Sequence, residues 1–520
     1  MQWWRTGRQL GQAVKNVSRL RQILAVMAKY GFVDIVDRMS LGKFLPNRLA
    51  TYAQTQADKT PAERIRFAFE ELGPTFVKLG QMLSTRSDLL PEAFIEEFTK
   101  LQDNVFPLPF ETIKGVVERE LGRPLADAFE SFDEAALASA SIAQVHSARL
   151  PTGESVVVKV QRPDISGMIK QDISMLTFLA GLLERYVPET RVLSPTIFVD
   201  EFFKTISHEL DFAIEANNMT RMAENLAEFQ EIVIPRLYKS HSTHRVITQE
   251  KLDGIKVNDL KTMDAAGVDR KRLVAIGAQA FMKSVMIDGV FHGDLHGGNL
   301  FVLPTGQLGI IDFGIVGRLS QKSRDQMVSM VTALVSQDFE NLCYQYAELG
   351  SASASIDFEG FQRETLNALS PYLGLSLKEM NMGKILIDST RIATRYHISI
   401  PGDWMVVFKA ILTIEGMGRT LDPDFDLLAM GQEVVQRLVW SRYSPERLTK
   451  DLFWFGRDFA ALARELPRQL RWMLRKFNAN DFALEFKSPQ IVEIRDQLEK
   501  GSQRLTLAFM SVGLMVAGTM

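Results

Sequence analysis

Cysteine is nearly missing from this chain. Of 520 residues only Cys343 carries a thiol, which excludes an internal disulfide and fits a reducing compartment. There is no cysteine–histidine spacing of the zinc-binding kind and no signal-peptide pattern. Strong net charge is also lacking. A balance of −3 gives no bulk electrostatic basis for holding nucleic acid. Internal repeats and low-complexity tracts are absent. What remains is ordinary globular material, 46% hydrophobic and 24% charged, enough for a large core. The length suits several domains, or one two-lobed catalytic domain with extensions.

A local absence is more informative. The first 33 residues hold no acid, while Arg5, Arg8, Lys15, Arg19, Arg21 and Lys29 alternate with Trp3, Trp4, Leu10, Val14, Leu20, Leu24, Val26 and Met27. This is a basic amphipathic pattern, suited to an anionic membrane surface or to docking on the rest of the chain. A mitochondrial transit peptide has the same basic, acid-poor character. At the other end, "LTLAFMSVGLMVAGTM" runs for 16 residues without a charge. As helix it would extend ~24 Å, short of a ~30 Å hydrocarbon core. The expectation is a partial transmembrane helix over 501–520.

Between these ends the periodicity changes twice. Residues 62–130 read as helix, broken at "VFPLP" and at Gly122-Arg123-Pro124. "SIAQVHSARL" and "SVVVKVQ" are β-rich runs joined at Pro151-Thr152-Gly153-Glu154, a hairpin signal. Two long helices are expected over 165–187 and 196–229, then strands at "VIPRLYKS" and "HRVITQEKLDG". Helix resumes at 269–289, and after a loop-rich centre it dominates from 321 to 500. Strands first and helices later predict an α+β, two-lobed architecture.

The loop-rich centre contains "HGDLHGGN" (292–299) and "IIDFG" (310–314). Asp294 and Asn299 are five residues apart in a segment too rich in glycine for a stable helix. Asp312 follows a strand-turn-strand built on Pro304-Thr305-Gly306. Two acids and an amide suit Mg²⁺, a hard cation bound through few protein oxygens plus phosphate oxygens. Asn299 and Asp312 would hold the metal, and Asp294 would orient an attacking hydroxyl or water. H-x-D…N followed by D-F-G is the protein-kinase-like pair of catalytic and metal loops. His292 and His296 read as loop-structuring hydrogen-bonders.

Upstream, Lys159 lies in the apolar strand "VVVKVQ", costly unless paired with a glutamate and phosphates. "HELDFAIEANNM" offers Glu209, Asp211 and Glu215. Glu215 is the expected partner of Lys159. Glu209, six residues earlier, lies roughly 240° round the helix from it and so faces elsewhere. The linker "ITQEKLDG" would present backbone groups near Glu250 and Leu252 to adenine. A protein kinase carries a glycine-rich loop before the lysine strand. Here Ala138, Ser139, Ala140 and Ser141 stand in its place. Each Cβ disfavours positive φ, so the loop should be stiffer, with Ser139 or Ser141 still able to reach phosphate. The catalytic loop has no arginine before Asp294, so control by activation-loop phosphorylation has no obvious anchor.

One helix poses a separate question. In "ELGPTFVKLGQMLS", Lys78 and Gln81 sit one turn apart on an otherwise apolar segment. With "KLGQ", "ASAS", "VVVKVQ", "ELDFAIEAN", "HGDLHGGN" and "DFG" in this order over about residues 65–320, the chain resembles the UbiB/ADCK group of atypical protein-kinase-like proteins. The resemblance implies that the KxGQ helix lies across the cleft where a protein kinase receives its peptide. Lys78 and Gln81 would then point at Glu209 and Asp211. It implies ATP and Mg²⁺ as cofactors, and ATP hydrolysis supporting ubiquinone or another isoprenoid quinone rather than phosphorylation of proteins in trans. The alternatives are phosphoryl transfer to a lipid or small molecule, and an ATP-gated scaffold of a quinone-biosynthesis complex. Expected partners are membrane lipid, quinone precursors and quinone-biosynthesis enzymes, with a homodimer left open. The expected location is the cytoplasmic face of a bacterial inner membrane, or else the mitochondrial inner membrane. The apolar end resembles the start of the anchor of bacterial members, cut before its second half. The expected partition is basic helices over 1–60, the KxGQ extension over 61–130, an N-lobe over 131–252, a helical C-lobe over 253–500 and the membrane segment from 501.

Overall fold

Chain breakers and caps set the first elements. The computed structural model describes residues 17–427, apart from 43–58, 85, 87–89, 102–104, 350, 353–356 and 373–379. Helices α1 (Val17–Lys29) and α2 (Val33–Arg38) lead into α3 (Pro61–Leu72). Thr60 and Glu63 close a capping box at the start of α3, and Pro61 takes its first turn. Gly73, at φ +97°, ends α3 so that α4 (Pro74–Ser84) restarts at once on Pro74. Next come α5 (Glu92–Thr99), α6 (Phe110–Leu121) and α7 (Leu125–Ala128).

In α1, Leu20, Ile23, Leu24 and Val26 are buried in the same core as Phe76 of α4. The basic amphipathic pattern is thus used, over 17–29, for docking on the chain itself. That apolar face is not turned outward to a bilayer. Residues 1–16 and the apolar run from 501 lie outside the described residues. Among the described residues no helix is long and apolar enough to cross a membrane.

The N-lobe sheet contains β1 (Ser131–Ser139), β2 (Ala143–Arg149), β3 (Ser155–Gln161) and, later in sequence, β5 (Val246–Glu250), antiparallel in the order β1-β2-β3-β5. On β3 the period of two is plain. Val156, Val158 and Val160 are buried with Ile113, Val116 and Val117 of α6, which leaves Lys159 on the opposite face. α8 (Ile165–Tyr186) crosses to α9 (Pro195–Glu209) and α10 (Phe212–Asn225). The single long helix expected over 196–229 is therefore two. It breaks at Leu210-Asp211, where the Asp211 carboxylate accepts the Ala213 N–H and caps α10. The strand expected at "VIPRLYKS" shrinks to β4 (Ile232–Val233), with a lone bridge between Leu237 and Gln249.

In the C-lobe, β6 (Ile255–Lys256), β8 (Leu300–Val302) and β9 (Leu308–Ile310) join β4 in a second sheet, and β7 (Val290–His292) pairs with β10 (Val316–Arg318). α11 (Leu260–Ala265) and α12 (Arg270–Lys283) precede these hairpins. α13 (Gln321–Val335), α14 (Phe339–Leu349), α15 (Phe358–Leu369), α16 (Met382–Arg395) and α17 (Gly402–Leu421) follow them. One apolar core runs from α10 through α17.

Candidate active site

The site is assembled where β3 and α10 face the two C-lobe hairpins. Lys159 Nζ lies 2.9 Å from the Glu215 carboxylate and 3.7 Å from Asp312 Oδ1. Burial favours the neutral amine, but the charges of Asp312 and Glu215 outweigh it and raise the Lys159 pKa. Lys159 in turn holds Asp312 down to about 2. Asp312 keeps 49% of its side chain open, so the nearby ammonium, not burial, governs that carboxyl. Burial pushes Glu215 up against the pull of Lys159, with the charges of Asp312 and Glu209 adding to the rise. Asp312 is also a non-glycine residue at φ +60°, a conformation held at a cost, as at many functional sites. Its Oδ1 accepts the Gly314 N–H at 3.3 Å.

The catalytic-loop segment is fixed by its own histidines. His292 is buried. Its Nδ1 accepts the Asp294 N–H at 3.1 Å, so Nε2 carries the hydrogen donated to the Ile311 carbonyl. Burial lowers its pKa and keeps the ring neutral. His296 Nδ1 accepts the Gly298 N–H. Both rings shape the loop. The Asn299 amide donates to the Asp294 carbonyl at 3.2 Å, and the Asn299 carbonyl accepts the Ile311 N–H. Leu300 pairs with Ile310 across the hairpin, so Asn299 and Asp312 project from adjacent strand ends. Among the described residues no cluster of three or more His, Cys, Asp or Glu forms a metal cage. Mg²⁺ instead takes one or two protein oxygens and completes its shell with phosphate oxygens and water, and the Asp–Asn donor set fits that ion.

Ser139 and Ala140 are less available than expected. The Ser139 hydroxyl accepts from Arg162 Nη2 at 2.7 Å, Arg162 Nε donates to the Ala140 carbonyl, and the Ala140 N–H is bound to Ala143. Ala138 pairs with Val145 in the β1–β2 ladder. Ser141 differs. Its hydroxyl is buried and, among the described residues, has no hydrogen-bond partner. In the linker, the Glu250 N–H is committed to the Arg236 carbonyl, so that amide is not an adenine donor. Leu252 follows it and packs toward Gly309.

All four letters of "KLGQ" have physical reasons. Lys78 Nζ reaches Glu209 at 3.2 Å, and Leu79 is buried. A Cβ on Gly80 would lie 2.2 Å from Leu101 Cδ1 and 3.0 Å from Phe69, so a larger residue would have to push these buried side chains aside. The Gln81 amide donates to the Leu101 carbonyl at 3.2 Å, not to the acidic pair. Asp211 likewise turns away from Lys78, capping α10 and binding His244 Nδ1 at 2.7 Å. Glu209 does not face elsewhere, because the helix break cancels the angular argument that placed it there. Lys78 is near enough to act on the charges of Lys159 and Asp312.

An ABC1 atypical kinase-like domain matches residues 100–346, and a UbiB helical domain matches 366–426. The chain is 35% identical over 517 residues to a probable protein kinase UbiB of Xanthomonas oryzae pv. oryzae, covering 97% of this chain and 93% of that protein. It belongs to the UbiB family. A probable protein kinase UbiB of Xylella fastidiosa is 32% identical over the same shares of both chains. Among solved structures, the Rv3197–erythromycin complex from Mycobacterium tuberculosis matches at 24% identity and a TM-score of 0.47, over 68% of this chain and 90% of that one.

The UbiB helical domain includes α17, which brings a residue that sequence reasoning missed. Lys409 Nζ lies 3.1 Å from Asp294 Oδ1. Its only signal was a lone lysine in the apolar run "WMVVFKAILTI", the same kind of oddity as Lys78. Arg19 was also missed as a site support. Its guanidinium grips Asp172 through both oxygens and the Leu72 carbonyl, while buried Thr75 donates to Asp172 at 2.6 Å. This cluster pins the start of the KxGQ helix.

Proposed function

We propose that this UbiB-family protein is an ATP- and Mg²⁺-dependent kinase-like ATPase that supports isoprenoid quinone biosynthesis, ubiquinone above all. The observation that carries the reading is the convergence of Lys159, Glu215 and Asp312 within ion-pair distance. Lys159, held by Glu215, would meet the α/β-phosphates. Asn299 and Asp312 would hold Mg²⁺, which supplies charge neutralisation at the phosphates when bound. Asp294 would orient the attacking water or hydroxyl, and Leu252 would lie against adenine. If the KxGQ helix covers the entry of a protein substrate, as the family resemblance implies, the Lys78–Glu209 pair would favour water or a small acceptor over a protein chain.

The proposed setting is the cytoplasmic face of a bacterial inner membrane, on the strength of the apolar run after Arg504 and of the bacterial relatives. Membrane lipid and quinone precursors are the proposed partners. The test is ATP hydrolysis on liposomes with and without anionic lipid and a prenylphenol. Slow hydrolysis stimulated by either is expected. No hydrolysis above background under any lipid condition defeats the ATPase reading, and a phosphorylated lipid product replaces it with phosphotransfer.

A further inference from the structure

In-line phosphoryl transfer spreads negative charge over the γ-phosphoryl oxygens, and enzymes meet it with cations placed in advance. In the reading above Lys159 serves the α/β end. The γ end lies beside Asp294, because the group that orients the nucleophile must stand next to the phosphorus it attacks. The cation at that end comes from α17. Lys409 Nζ donates to Asp294 Oδ1 at 3.1 Å, while His296 Nε2 is 3.8 Å from the other oxygen.

Packing makes this contact a placed one. A Cβ on Gly293 would lie 2.8 Å from Val406 Cγ1 and 2.9 Å from Ile315, so α17 presses directly on the residue before Asp294. Val406 and Lys409 are three apart and share a helix face. Phe408 and Val407 beside them are fully buried, so the helix cannot roll. The Lys409 side chain nevertheless stays 36% exposed, leaving its ammonium room for a second oxygen ligand. A lysine of merely structural use would gain little from a partly exposed carboxylate.

We infer that Lys409 is the γ-phosphate ligand of this site, held in readiness by Asp294 and supplied by the helical domain. The inference rests on the ATP reading. It gives the helical domain a direct part in nucleotide recognition, where packing alone would assign it only structural work.

The test is calorimetric binding of Mg-ATP and Mg-ADP to the full chain, comparing wild type with Lys409→Met and Lys409→Arg. Loss of a charge-assisted contact to the terminal phosphate should weaken ATP binding about tenfold. ADP binding should stay within about twofold, because ADP lacks that phosphate. Lys409→Arg, which keeps the charge, should retain most of the ATP preference, and it serves as the folded variant if Lys409→Met melts early. Equal losses for ATP and ADP, or no loss for either, overturn the role of Lys409 alone. Wild type that binds no Mg-ATP overturns the nucleotide reading and this inference with it.

Discussion

Two helical regions lie on either side of the catalytic hairpins in the sequence, and they are held by different mixtures of forces. The N-terminal region, α1 to α5, shares an apolar core with α8 and α9 and adds ion pairs to that packing. Arg19 holds Asp172, Arg86 holds Glu201 and Lys78 holds Glu209. The C-terminal region, α13 to α17, belongs to one continuous apolar core with the catalytic hairpins. Apolar packing is not directional and fails as a unit. Ion pairs depend on angle and partner, and can release one at a time. The comparison makes the KxGQ helix the more easily detached part and the Lys409 helix a fixed wall.

The largest expected effect on stability is on the fixed wall. Phe408→Ala removes a fully buried ring and should cost ~3–5 kcal/mol in denaturant unfolding. Cys343 reports where the damage goes. It is buried, and burial pushes its thiol up to about 11. At pH 8 the folded protein thus presents almost no thiolate to a labelling reagent. Phe408→Ala should speed labelling at pH 8 markedly, because Phe408 shares the Cys343 core.

Asp172→Asn tests the detachable side. It leaves Arg19 half-paired in a largely buried cluster and should cost about 1–3 kcal/mol. Hydrogen exchange in Pro74–Ser84 should rise while Cys343 stays unreactive. Labelling of Cys343 in this variant as fast as in Phe408→Ala would erase the distinction between the two regions.

Smallest is Glu71→Gln. The Lys29–Glu71 pair is exposed on both sides and is worth at most about 0.5–1 kcal/mol. A melting experiment should scarcely register it. A larger loss would mean that α1 is held mainly from its surface.

Much of the site was legible because each part sits in a short motif with its own chemistry. Lys159 interrupts a run of valines, and Asp294, Asn299 and Asp312 lie in glycine-rich loops that no core would explain. Glu215 was legible once a lysine needed a partner. Glu209 was misplaced because one uninterrupted helix was assumed, and the Asp211 cap that breaks it is a local hydrogen bond weighed against strong helical periodicity. The docking of α1 was ambiguous for a general reason: an apolar stripe beside arginines serves a bilayer and a protein core equally well. Lys409 was hidden by distance, since its contact with Asp294 spans 115 residues and no local pattern encodes it.

The central claim is that Asp312, with Asn299, holds Mg²⁺ so that nucleotide can settle beside Lys159. Its most direct test is equilibrium binding of ATP to the full chain, with and without Mg²⁺, in wild type and in Asp312→Asn. Wild type should bind ATP at least tenfold more tightly with Mg²⁺ than without it, and Asp312→Asn should lose that difference. ATP affinity that ignores Mg²⁺ in wild type, or a Mg²⁺ effect that survives in Asp312→Asn, would contradict the account.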